Sequence, residues 1–208
     1  MTWVIGIDFD NTIVSYDDLF FQVTMEKGLI PSNTLKSKKQ IRDSIRELTD
    51  GDIKWQKIQG VIYGPMMHKA KLIKGVYDFI KICNTKKNPV FIVSHKTEFA
   101  NYDNTRTNLR TAAMKWLDKN GFFLTKRLGL SPDHVFFQST RQDKINRIKS
   151  LGCTHFIDDL EETFLEVSFP EKVEKILFDP HDQYKPRPGV KICGSWDEIT
   201  KILLQGEK

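Results

Sequence analysis

The sequence predicts an α/β protein: a parallel sheet covered by helices on both faces, with a small helical unit inserted after the first strand. Three observations predict it. Short apolar runs bounded by polar or turn residues recur along the chain, as buried strands do. Segments with apolar residues at helical spacing lie between those runs. One connection, from the first strand to the second, is roughly sixty residues long, far more than a crossover helix needs.

The first strand is Trp3-Val4-Ile5-Gly6-Ile7, which breaks into polar residues at Asp8. Further runs at 89–93, 134–138, 155–157 and 175–178 read as strands, and 190–193 adds a sixth. Helical spacing joins Val76, Phe79, Ile80 and Cys83, then Leu109, Ala113, Trp116 and Leu117 ahead of Asn120-Gly121. Ile145 with Ile148, and Leu160 with Phe164 and Val167, continue the pattern. Strand and helix alternate, which argues for parallel strands with ligands bound beyond their carboxyl ends. Inside the insertion a helix is expected near 18–26. Ile41, Ile45 and Leu48 mark a second helix before Thr49-Asp50-Gly51, and Trp55, Ile58 and Ile62 a third before Gly64-Pro65. The expected division is a core of 1–14 and 75–208 and a helical unit of 15–74 above the site, with Ser32-Asn33 and Gly64-Pro65 as joints.

At 208 residues the chain can bury a sizeable core, and 39% hydrophobic with 28% charged residues is ordinary for a folded protein. It shows no long apolar run and no basic-then-apolar leader, so neither a membrane span nor a secretory signal is expected and the cytosol is the expected location. Cys83, Cys153 and Cys193 are widely spaced and fit no metal motif, so reduced core positions are expected. A net charge of +5 and a pI near 9.0 suit an anionic partner. The lysines are spread in ones and twos and no nucleic-acid module is visible, so a small phosphorylated metabolite is the expected partner and nucleic acid is not. Oligomeric state stays open.

The chemistry begins at Ile7-Asp8-Phe9-Asp10-Asn11-Thr12. Alternate residues of an extended chain point the same way at ~3.3 Å per residue, so the Asp8 and Asp10 carboxylates start on one side of a strand end. Two such anions repel unless a cation lies between them. On a hard divalent ion Asp8 can stay ionised and attack phosphorus, while Asp10 carries a proton for the leaving group and later activates water. Capping of the following turn is the plainer alternative. Three other strand ends add candidates. Ser94 offers a hydroxyl and a backbone N–H to a phosphoryl oxygen. Lys144, early in the next helix, can neutralise both phosphate and Asp8, although Arg141, Arg147 and Lys149 compete for that role. Asp158-Asp159 opens a helix, where capping is again the alternative. With Asp8 and the main-chain carbonyl of Asp10, Asp158 would form half of an octahedral Mg²⁺ shell, and Asp159 could hold a coordinated water.

These four segments, in this order, resemble the haloacid dehalogenase-like superfamily. Asp8-Phe9-Asp10-Asn11-Thr12-Ile13 is similar to its first motif, Ser94 to its second, Lys144 to its third and Asp158-Asp159 to its fourth. The resemblance implies a Rossmann-like core, an obligate Mg²⁺, an aspartyl-phosphate formed on Asp8 and hydrolysed with help from Asp10, and a mobile helical cap after the first motif. Members of the dehalogenase type lack the second acid, whereas this chain keeps Asp10, so phosphomonoester hydrolysis is the expectation. A mutase, a phosphatase acting on nucleic-acid ends or phosphoprotein, and a non-catalytic phosphate- or partner-binding protein remain alternatives. The long polar stretch 95–104 is expected to help bind substrate through His95 and Lys96, which directly follow Ser94, with a solvated loop as the alternative. The Pro-rich connection 181–188 either borders the site or does not, and His68, His134 and His155 are expected to be structural.

Overall fold

The computed structural model describes residues 2–103 and 105–205. In chain order the strands are β1 (Ile5–Ile7), β2 (Val14–Ser15), β3 (Lys71–Leu72), β4 (Val90–His95), β5 (Val135–Gln138), β6 (His155–Asp158), β7 (Glu174–Phe178) and β8 (Val190–Cys193). The helices are α1 (Asp17–Glu26), α2 (Lys38–Arg46), α3 (Gly51–Tyr63), α4 (Val76–Thr85), α5 (Leu109–Lys119), α6 (Arg141–Ser150), α7 (Glu161–Leu165) and α8 (Trp196–Thr200). The chain divides into a sheet unit, made of residues up to Val14, Leu72–Lys96 and those from Asn120 on, and a helical unit of Ser15–Lys71 with Thr97–Lys119.

The sheet unit holds the expected α/β fold. Its six strands run in the order β5-β4-β1-β6-β7-β8, each pairing parallel to its neighbour. From β1 the chain builds outward through β4 and β5, then returns to β6 on the other side of β1. That reversal opens the crevice where ligands of such sheets bind. Registers Ile7↔Ile92 and Ile7↔Ile157 bring the residues after β1, late in β4 and at the end of β6 to one carboxyl edge. Strand β1 is buried along its whole length, which is why it reads as uninterrupted apolar sequence. Gly6 sits at a close approach: a Cβ there would lie 2.5 Å from the Phe156 ring and 3.1 Å from Cys153 Sγ.

The helical unit packs its own aromatic core. Phe20 stacks on Trp55 at 4.7 Å between ring centroids, and Tyr16 meets Tyr63 edge-on at 4.8 Å. Ile41, Ile45, Ile58 and Ile62 complete the buried faces of α2 and α3. Helix α5 belongs to this unit, although the strand–helix rhythm assigns it to the sheet as the crossover from β4 to β5. Its Trp116 is buried here, and the indole N–H donates to the Ala70 carbonyl oxygen at 2.9 Å. Ser32-Asn33 and Gly64-Pro65 are internal to the unit and are not its joints. The chain changes unit within β2 and within β3, the two strands of a separate two-stranded sheet.

Two helical patterns end earlier than their spacing suggests. Helix α2 stops at Arg46, leaving Leu48 exposed. Helix α7 stops at Leu165 and Val167 is fully exposed, because Phe169 takes the core position instead, edge-on to Phe164 at 5.3 Å. All three cysteines are unpaired and buried, and burial pushes the Cys83 and Cys153 thiols up to about 12. Among the described residues no helix is long and apolar enough to cross a membrane.

Candidate active site

The loop after β1 is shaped by its own backbone. Ile13 N and Val14 N both donate to the Phe9 carbonyl oxygen, at 3.0 and 3.2 Å, and Asn11 N donates to Val14 O at 2.8 Å. Closing so tight a loop puts Asn11 at φ 59°, a left-handed position that asparagine adopts more readily than most residues. Thr12 is buried, and its carbonyl oxygen accepts the Trp196 indole N–H at 2.9 Å. Asp8 N completes the fixation by donating to Ile157 O at 2.8 Å, which ties the first acidic residue to the strand carrying Asp158.

Asp8, Asp158 and Asp159 converge, each offering a carboxylate oxygen within 4.8 Å of the others. Lys144 stands between two of them, its Nζ 2.6 Å from Asp8 Oδ1 and 2.6 Å from Asp158 Oδ2. It is 2% exposed, whereas Arg141 pairs with Glu166 at 2.8 Å, Arg147 lies over the Phe136 ring at 4.5 Å and Lys149 is exposed. The choice is made by helix phase. Thr140 caps α6 by accepting from Asp143 N, and the inward face then carries Lys144, Ile145 and Ile148. Asp158 Oδ1 also accepts from Leu160 N at 3.0 Å, and Asp159 Oδ1 accepts from the Thr12 hydroxyl at 3.4 Å.

Charge balance at this edge favours a cation. Burial, with Asp158 and Asp10 nearby, pushes Asp8 up to about 7 even though Lys144 opposes the shift. Burial alone would lower Lys144, but the Asp158 and Asp8 carboxylates reverse that and raise it. Three carboxylates with no softer donor among them suit a hard divalent ion such as Mg²⁺, which would relieve the anionic excess at Asp8. The Asp10 carboxylate stands outside this cluster and is held by Lys96, with Nζ 3.0 Å from Oδ1 and 2.8 Å from Oδ2, and this contact leaves the Asp10 main-chain carbonyl, the atom expected at a metal, untouched.

Asp8, Lys144, Asp158 and Asp159 are thus brought together, and Ser94 is buried late in β4, at the same edge by register. His95 ends β4 exposed, with its Nε2 3.0 Å from the Ser139 carbonyl oxygen, so its ring is engaged by the loop ahead of α6. The 95–104 stretch is long because from Thr97 it belongs to the helical unit, and Asn104 lies outside the described residues. Sequence reasoning placed Lys96 in that loop as a substrate contact and missed its partner. The signal was strand parity, since Ser94 and Lys96 are buried on either side of exposed His95. The 181–188 connection does reach the acidic loop: Tyr184 hydroxyl donates to the Asp159 carbonyl oxygen at 3.1 Å, and Arg187 pairs with Glu161 at 2.9 Å. Buried Asp179 holds that connection by accepting from Gln183 N and Tyr184 N at 2.7 and 2.8 Å. The histidines assigned no ligand role make local contacts, His68 to Pro65 O, His134 to Val90 O and His155 to Thr154 and Glu174.

No family model matches the chain, and no curated protein matches it in sequence. Solved structures do match it. A haloacid dehalogenase-like family hydrolase from Streptococcus pneumoniae aligns with a TM-score of 0.60 at 14% identity, covering 97% of this chain and 98% of that one. The chain has the haloacid dehalogenase-like fold. A hydrolase of that family from Deinococcus radiodurans, with bound phosphate and sodium, aligns at TM-score 0.56 and 14% identity over 98% of this chain and 96% of its own. A putative hydrolase of the same family from Bacillus subtilis, bound to magnesium, aligns at 0.52 and 16% over 98% and 99%. At such identities the likeness concerns the haloacid dehalogenase-like architecture, and the chemistry rests on this chain's own residues.

Proposed function

We infer that the protein is a Mg²⁺-dependent phosphohydrolase that cleaves a small phosphomonoester through a phosphorylated Asp8. The observation that carries this reading is one buried ammonium, Lys144, bonded to both Asp8 and Asp158 with Asp159 alongside, at the carboxyl edge of a parallel sheet. The phosphate and the magnesium bound to the Deinococcus and Bacillus proteins agree with it. Asp8, Asp158 and Asp159 would hold the ion, which supplies positive charge against the phosphoryl oxygens.

Asp8 attacks phosphorus, and the bond to the leaving oxygen breaks as Asp10 supplies its proton. Lys144 keeps the Asp8 carboxylate oriented and balances the charge of the transferring group. The Ser94 hydroxyl donates to a phosphoryl oxygen. Water then attacks the acyl phosphate, giving a proton to Asp10 and releasing phosphate and the Asp8 carboxylate. The expected result is hydrolysis of 4-nitrophenyl phosphate with Mg²⁺ that stops on chelation and falls roughly a thousandfold or more in Asp8→Asn. Equal turnover by wild type and Asp8→Asn removes Asp8 from the reaction.

A further inference from the structure

Among the described residues two lysines are buried, Lys144 at 2% and Lys96 at 4% exposure. An ammonium out of water is costly unless it is paired, so each marks a place where the fold demands a positive charge. Lys144 serves Asp8 and Asp158, and Lys96 touches both carboxylate oxygens of Asp10. We propose that Lys96 is a positioning residue for the breakdown of the phosphorylated enzyme, orienting the Asp10 side chain toward the water it activates. This rests on the phosphohydrolase reading above.

The geometry gives Lys96 both rigidity and a task. Its backbone N–H donates to Gln138 O at 2.8 Å, extending the ladder one residue beyond β4, and its ammonium lies 5.6 Å from the Phe9 ring centre. The base of its side chain is therefore fixed to the sheet and its tip to the loop carrying both acids. Asp10 precedes a left-handed Asn11 in a tight loop, beside three carboxylates able to hold a cation. A two-point contact from Lys96 keeps the Asp10 carboxylate out of that cluster and turned in one direction. In the step it serves, water oxygen bonds to phosphorus while a water proton moves to Asp10. The bond between phosphorus and the Asp8 oxygen breaks, leaving inorganic phosphate and the Asp8 carboxylate.

The two chemical steps separate with a leaving group that needs no proton. With 4-nitrophenyl phosphate, formation of the phosphorylated enzyme does not call on Asp10, and its breakdown does. Lys96→Met is expected to lower kcat by about a hundredfold and KM in parallel, leaving kcat/KM within about threefold, while phosphorylated Asp8 accumulates in acid-quenched samples. Lys96→Arg should recover most of kcat, and in an Asp10→Asn background Lys96→Met should add almost nothing. Should Lys96→Met not fold, Lys96→Gln carries the same test. A parallel fall in kcat and kcat/KM with no phosphorylated enzyme overturns the assignment, as does a full effect in the Asp10→Asn background. A wild type active on phosphate esters but lacking this pattern defeats only the role of Lys96. A wild type that cleaves none defeats the phosphohydrolase reading itself.

Discussion

Asp8 shares its strand end with more negative charge than one lysine balances, and its neighbours are arranged around that imbalance. Lys144 is locked against Asp8 and Asp158, Lys96 removes Asp10 from the group, and Thr12 and Tyr184 hold Asp159 through its side chain and its carbonyl. Partners that orient metal-binding residues from behind commonly change affinity by 10–100-fold when removed, roughly speaking, as loss of one hydrogen bond lets the loop move. Tyr184→Phe is accordingly expected to weaken Mg²⁺ binding by about tenfold in calorimetric titration while leaving the melting temperature nearly unchanged. An unaltered affinity would show that the 181–188 connection does not brace the acidic loop. The acids themselves were legible in the sequence, because strand ends announce themselves where apolar runs stop. Lys96 was not, since a lysine beside a polar loop looks like any solvated lysine until its partner is known.

Elements were legible wherever burial on both faces wrote a continuous apolar run, as in β1, and less so where one residue can substitute for another in the core. Val167 fits the α7 period by spacing, yet Phe169 buries more surface and ends the helix. Helix α5 has a clear apolar face, but spacing cannot say which unit that face packs in. Strand β1 also carries a packing constraint at Gly6, where a methyl group would meet the Phe156 ring. Gly6→Ala should cost about 1–3 kcal/mol in urea unfolding, the usual penalty of overpacking, and a variant as stable as wild type would mean that the ring moves freely. Strand β6 adds a pH dependence. Burial lowers His155 from its ordinary 6.5, assisted by Lys191 and opposed by Glu174. Its neutral form therefore stabilises the fold fully above pH 6.5, and that stability is lost as pH falls through the lower folded value. His155→Gln is expected to show a smaller drop in urea midpoint between neutral and mildly acidic pH. An identical drop would assign the dependence to other groups.

For the whole molecule, alternating strands and helices were enough to foresee a parallel sheet, and the reversal of strand order at β1 explains why widely separated residues meet there. The composition of the helical unit was only partly foreseen. Its second piece, Thr97–Lys119, enters from the far end of β4, and no composition shift marks the crossing. What unites the molecule is the claim that four loops build a centre in which Asp8 is transiently phosphorylated. Acid-quenched protein, taken during turnover of a phosphomonoester with Mg²⁺ and digested for peptide mass spectrometry, tests this most directly. The account predicts one added phosphoryl group on the peptide containing Asp8, absent from Asp8→Asn. Steady hydrolysis with the phosphoryl group on another residue, or on none, would contradict it.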